Sequence, residues 1–214
     1  MQDFLKTIKQ IDFPTNQYYR KPYSKNQIVL HHTVSGGTAN AVAKYWSQMP
    51  SRIATAFIID KEGVIYQLFG SQYYAGHVGS IKTEAKKLGL PARNCSKNSI
   101  GIELINWGGL IMKDDQLYNV YGRKFTGEAV HYENGYRGFY YFDKYTDKQI
   151  SALKPLIEYL ADKYGIPTTC DDRMWDVSHR AIAGVSGVYS HTSFRRDKSD
   201  LHPQKELTDM LKTL

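Results

Sequence analysis

Three short aliphatic runs constrain this chain most. They are Gln27-Ile28-Val29-Leu30-His31, Ala54-Thr55-Ala56-Phe57-Ile58-Ile59-Asp60 and Ser99-Ile100-Gly101-Ile102-Glu103-Leu104-Ile105. Each is too short for a core helix and rich in β-branched residues, so each reads as a buried strand. Lys61-Glu62-Gly63 turns the second run into Val64-Ile65-Tyr66-Gln67-Leu68, a β-hairpin with Gly at the turn. Helical patterns lie between and after the strands. Thr38 can cap a helix over 39–48, where Ala39, Val42, Ala43 and Trp46 recur at helical spacing. Residues 81–88 read as a turn or two of helix. Thr146-Asp147-Lys148-Gln149 is a capping-box pattern. It opens a helix with Ile150, Leu153, Ile157, Leu160 and Tyr164 on one face, closed by Gly165 and Pro167. Pro155 inside that helix should kink it or displace its start. A last helix from Pro203 turns Leu207, Met210, Leu211 and Leu214 inward. The interleaving predicts an α/β fold, a mixed central β-sheet flanked by helices.

At 214 residues the chain suits one domain. Residues 1–26 read as a short helix and a polar lead, and 27–214 as the domain proper. Residues 107–145 are rich in Gly and Tyr with weak alternation and too few aliphatic residues for a core of their own. They read as an insertion of short strands and loops. Residues 176–202 read as loop. Cys95 and Cys170 are the two cysteines, which excludes a disulfide scaffold and leaves one bridge or two unrelated thiols, buried thiols being the expectation. The N-terminus has no apolar stretch of signal-peptide type, and no run approaches the ~20 residues that span a bilayer. The expectation is therefore cytoplasmic synthesis. Lys and Arg exceed Asp and Glu by 28 to 21, a net charge of +7. That surplus favours polyanionic partners: nucleic acid, an acidic membrane face or a wall polymer.

Chemistry concentrates in three places. His31 and His32 end the first strand, and adjacent strand residues point to opposite faces, so at most one of the pair serves a given site. His191-Thr-Ser-Phe-Arg-Arg-Asp-Lys198-Ser-Asp200 puts imidazole, ammonium and carboxylate in one stretch. One strand His plus a His and an Asp from that stretch would satisfy the three-ligand requirement of a catalytic Zn²⁺. Glu103 sits in an aliphatic strand, where a carboxylate is costly to bury unless paired or used. Alternation puts it with Gly101 on the face opposite Ile100, Ile102 and Leu104. That face is either a half-exposed surface or the floor of a cleft.

The order of these motifs resembles the zinc-dependent N-acetylmuramoyl-L-alanine amidases, the family of phage lysozyme-type amidases and animal peptidoglycan recognition proteins. The resemblance rests on Ile28–Thr33, Ala56–Gln67, Ala75-Gly-His77-Val-Gly79, Asn98–Leu104 and His191…Lys198-Ser-Asp200. It covers roughly residues 27–106 and 146–212. It implies that 27–214 is an amidase domain carrying Zn²⁺ on His31, His191 and Asp200. It implies Glu103 as the catalytic carboxylate and Lys198 as the group facing the reacting oxyanion. It also implies His77 near the metal in the cleft, with Thr55, Trp107 and Arg196 as further substrate contacts. Thr55 and Ala56 stand where other members carry a catalytic Tyr or a neighbouring His, which shifts weight to Glu103. The nine-residue interval from His191 to Asp200 also departs from the eight or ten of commoner members.

The implied reaction is hydrolysis of the amide between N-acetylmuramic acid and L-alanine in peptidoglycan. Anionic wall polymers would hold the basic domain, and no nucleic acid is expected, because no pattern of that kind is present. Without a signal peptide, the chain fits a phage-type endolysin that reaches the wall after holin-type or other release. The competing expectation is a peptidoglycan sensor of the same fold without turnover. Members lacking the third ligand behave that way, and Asp200 is the feature that argues against it.

Overall fold

A computed structural model describes residues 2–170 and 172–214. The strands, in chain order, are β1 (Lys9–Gln10), β2 (Gln27–His32), β3 (Phe57–Ile59), β4 (Ile65–Gln67), β5 (Ser99–Leu104), β6 (Gly109–Lys113), β7 (Gln116–Asn119), β8 (Ala129–Tyr136), β9 (Phe139–Asp143) and β10 (Gly187–Ser190). The helices are α1 (Gln2–Thr7), α2 (Ala39–Ser47), α3 (Lys82–Lys87), α4 (Cys95–Asn98), α5 (Asp147–Tyr164), α6 (His179–Ala183) and α7 (Lys205–Leu211).

Six strands form the central sheet in the order β1-β4-β3-β5-β2-β10. Strands β3, β5, β2 and β10 run parallel, and β4 is antiparallel to β3 as the hairpin predicts. Every residue of β2 and β5 is buried, as a sheet covered on both faces requires. Ile28 and Leu30 of β2 join the main core with Leu153, Ile157 and Leu160 of α5 and Leu207 and Leu211 of α7. Val29, one position out of phase, packs in a second cluster with Val78, Ile81, Ala85, Cys95, Ala181 and Ile182. The alternation of β2 thus sorts its side chains into two layers.

The lead segment is part of this body. Lys9 and Gln10 add a parallel edge strand beside β4, Phe13 is buried in the core, and the Tyr18 ring stacks on Phe69 at 4.7 Å. The 176–202 stretch differs from its expectation as loop, because it contains α6 and the sheet strand β10. Four residues between Gly and Ser are too few to show alternation, and only the pairing with β2 makes them a strand. Helix α5 starts where the capping box places it and runs through Pro155. The proline ring keeps a helical φ, and the bond it lacks frees only the carbonyl of Ser151, an exposed position. Residues 107–145 fold as a four-stranded antiparallel sheet, β7-β6-β9-β8. Cys95 is buried and Cys170 half-buried, and both thiols are free.

The start of α5 is tied to the site end of the sheet. The Thr146 hydroxyl accepts from the Gln149 N–H at 3.1 Å and donates to the Lys61 carbonyl at 2.7 Å. Gln149 Oε1 accepts from the Thr146 N–H at 3.1 Å, and its amide nitrogen donates to the Ile105 carbonyl at 2.9 Å, just past β5. Thr146→Ala is expected to cost about 1–2 kcal/mol, read as a lower urea midpoint with an unchanged slope. An unchanged midpoint would contradict the role given to this cap.

Candidate active site

The carboxyl ends of β2, β5 and β10 meet at one edge of the sheet, where open α/β sheets place their ligands. Register pairs His31 with Glu103 and Leu30 with Ser190, so His191, which follows β10 directly, arrives beside His31. Asp200 is brought in by the loop after β10, where the Thr192 N–H donates to the Asp200 carbonyl at 3.1 Å. The two strand-end histidines part as alternation requires. His31 turns to His191 and Asp200. His32 turns to the other face, with Nδ1 2.9 Å from the Tyr145 hydroxyl and its ring 6.2 Å from that of His202.

Three ligand-type atoms converge. His31 Nδ1 lies 3.1 Å from His191 Nδ1 and 3.0 Å from Asp200 Oδ2, and His191 Nδ1 lies 2.8 Å from the same oxygen. All three residues are buried. The His191 Nε2–H donates to the Val78 carbonyl at 3.0 Å. A carbonyl only accepts, and a neutral imidazole has one N–H, so His191 Nδ1 presents a bare lone pair to the carboxylate. Acceptors this close need a positive charge between them. The separations also approach the ~3.3 Å edge of a tetrahedron whose corners lie about 2 Å from a Zn²⁺ ion. The donor set and its spacing therefore fit that metal.

The charge states agree with this fit. Burial, then the neighbouring His191, pulls His31 down to about 4, although Asp200 opposes the shift, so His31 is neutral at pH 7. Glu103 goes the other way. Burial, then the Asp200 charge, pushes it well above its ordinary value, with Lys198 opposing. Glu103 is buried and in register beside His31, and the reading of its face as half-exposed surface falls away.

The remaining expected contacts are placed as follows. Lys198 is half-buried and close enough for its charge to act on Glu103 and His31. His77 Nδ1 lies 3.0 Å from His31 Nε2. Thr55 is buried, with its hydroxyl donating to the Phe57 carbonyl at 3.0 Å. Arg196 is exposed, and its carbonyl accepts from Arg137 at 3.2 Å. Trp107 lines a cavity of about 760 Å³ with Lys61, Phe125, Asp143 and Tyr145, whose walls include neither the metal group nor Glu103 nor Lys198.

The sequence reading missed two supports. The Tyr136 hydroxyl, from β8, donates to the Trp175 carbonyl at 3.0 Å with the Leu201 carbonyl 3.2 Å away, and the Tyr132 hydroxyl lies 2.9 Å from His202 Nδ1. The insertion therefore clasps the loop that carries Asp200. Ser99 is the other, with Oγ 2.9 Å from His77 Nε2. Its signal was available, since Ser99, Gly101 and Glu103 fall on one face by alternation.

A family model described as N-acetylmuramoyl-L-alanine amidase matches residues 20–203. No curated protein matches the sequence significantly. Among solved structures, the chain is similar to the endolysin N-acetylmuramoyl-L-alanine amidase LysCS from Clostridium intestinale URNW. That match has a TM-score of 0.51 and 16% identity, and covers 96% of this chain and 93% of that one. It is also similar to a mutant endolysin from Bacillus subtilis, at TM-score 0.53 and 18% identity, covering 96% of each chain. A third is the catalytic domain of XlyA, at TM-score 0.53 and 17% identity, covering 96% and 97%. At these identities the structural matches speak for the fold, and the family match speaks for the chemistry. Its 20–203 span takes in every expected ligand and both expected catalytic groups, and the chain belongs to the N-acetylmuramoyl-L-alanine amidase family.

Proposed function

We propose that the chain is a zinc-dependent amidase that cleaves the bond between N-acetylmuramic acid and L-alanine in peptidoglycan, and that it acts in wall lysis. The observation that carries this reading is the convergence of His31, His191 and Asp200 with Glu103 in register beside His31. A Zn²⁺ held there supplies Lewis acidity, lowering the pKa of water toward ~7 and polarising a carbonyl. Two neutral imidazoles and one carboxylate leave the site a net positive charge when loaded.

Glu103 takes the proton of the attacking water and passes it to the nitrogen of the leaving L-alanine. Burial raises the Glu103 carboxyl, which favours the protonated form that hands a proton to the leaving nitrogen. The Lys198 ammonium faces the oxygen on which negative charge grows as the carbonyl becomes tetrahedral. Lys198→Ala is therefore expected to lower turnover about 100- to 1,000-fold. Turnover within a few fold of wild type would remove it from that role.

The basic balance of the chain, +7, supports retention on anionic wall polymer. Among the described residues no helix is long and apolar enough to cross a membrane. Release from the cytoplasm by a holin-type lesion is the route this reading assigns. The test is a suspension of purified walls with the purified chain, followed by turbidity and zinc content. Clearing that a chelator stops and zinc restores supports the amidase. Binding to walls without clearing, in a chain loaded with zinc, would establish the sensor instead.

A further inference from the structure

We infer that Ser99 and His77 form a hydrogen-bond relay that sets the tautomer of His31, so that its Nδ1 lone pair is presented to the metal. The inference rests on the zinc site proposed above. It makes His77 a positioning residue behind the ligand, in place of the substrate contact expected from the sequence.

The direction of each bond follows from the groups at the end of the chain. Ser99 Oγ is 2.8 Å from the Cys95 carbonyl, which can only accept, so the hydroxyl hydrogen points there. Ser99 Oγ then offers only lone pairs to His77 Nε2, 2.9 Å away, and that nitrogen must carry the hydrogen. A neutral imidazole has one N–H, so His77 Nδ1 is bare and accepts from His31 Nε2 at 3.0 Å. His31 therefore holds its hydrogen on Nε2, and its Nδ1 is the bare atom that faces His191 and Asp200. His191 reaches the same tautomer by a separate route, its Nε2–H donating to the Val78 carbonyl. Two backbone carbonyls, Cys95 and Val78, thus orient the two imidazole ligands.

The surroundings hold the relay in place. The Ser96 hydroxyl accepts from the N–H groups of both His77 and Val78 at 3.1 Å, which fixes the segment carrying both carbonyl and imidazole. Gly101 leaves the room the ring needs. A Cβ there would come 3.0 Å from His77 Nδ1 and 2.7 Å from the Thr55 methyl. Reversing the relay would oblige the Ser99 hydroxyl to abandon the Cys95 carbonyl and would put hydrogen on His31 Nδ1, where the metal should bind. Partners of this kind typically change metal affinity 10- to 100-fold.

The experiment uses the full chain. Long-range proton–nitrogen NMR of the metal-free, ¹⁵N-labelled protein at pH 7 should show His31 Nε2 protonated and Nδ1 bare. Zinc affinity is then measured by competition with a chromophoric chelator. Ser99→Ala and His77→Phe are expected to bind zinc about 10- to 100-fold more weakly than wild type. His77→Gln keeps an acceptor and a donor at its tip and should recover most of that loss, which a purely space-filling role would not predict. Thermal melts of the metal-free variants identify any that fail to fold, and Ser99→Ala, the smallest change, carries the comparison if His77→Phe does. Hydrogen on His31 Nδ1 in the wild type, or variant affinities within twofold of it, would overturn the relay. A folded wild type that takes up no zinc would overturn the metal site instead, and the nitrogen spectrum, recorded without metal, still decides the relay.

Discussion

Glu103→Gln is expected to lose about 100- to 10,000-fold in turnover while keeping its zinc. The substitution preserves the shape of a buried side chain and removes only its capacity to take and return a proton. It leaves His31, His191 and Asp200 untouched, so metal content should stay at the wild-type level. The same change should stabilise the metal-free protein at neutral pH. Burial holds the Glu103 carboxyl well above its unfolded value of 4.5, so the folded state binds the proton more tightly than the unfolded chain does. Ionisation therefore removes stability as pH rises from 4.5 toward the folded-state value, and Gln does not ionise. The melting temperatures of wild type and variant should coincide below about pH 4 and separate above pH 4.5, the variant being the more stable. A variant that keeps full turnover with full zinc would remove Glu103 from the mechanism.

Asp200→Ala is expected to abolish zinc uptake and to cost at least about 1,000-fold in activity, because the several kcal/mol of charge stabilisation a metal supplies go with it. Asp200 is the one anion of the three ligands. Metal removal from the wild type should have the same effect by another route. A ligand that binds only the folded state at 1,000 times its Kd stabilises by about 4 kcal/mol. In a chain of this size that is roughly 8–16 °C of melting temperature. Chelator should lower the wild-type melt by about that amount and leave the Asp200→Ala melt almost unmoved. Equal shifts in both proteins would mean that zinc binds elsewhere.

Much of this arrangement is legible in the sequence because it rests on local rules. Alternation in β2 separates His31 from His32, and alternation in β5 puts Glu103 on the face of Gly101. The Thr146–Gln149 pair marks the start of α5 to the residue. What escapes is whatever depends on distant pairing. Strand β10 is four residues that only β2 makes into a strand, yet it delivers His191. The insertion shows its strands weakly, and nothing local to it says that Tyr136 and Tyr132 grip the loop of Asp200. Ser99 carries no mark of its own beyond its phase. Its meaning comes from His77, 22 positions away, and from the carbonyl of Cys95. Gly101 is marked in sequence only by its phase with Glu103, and in the fold it leaves space for the His77 imidazole.

The masses of the products released from purified peptidoglycan identify the bond that breaks. Amide cleavage is expected to release free stem peptides that begin with an unblocked L-alanine, together with glycan strands whose N-acetylmuramic acid residues have lost their peptides and whose chain lengths are unchanged. New reducing sugar ends with the stems still attached, or peptides cut within the stem, would contradict it.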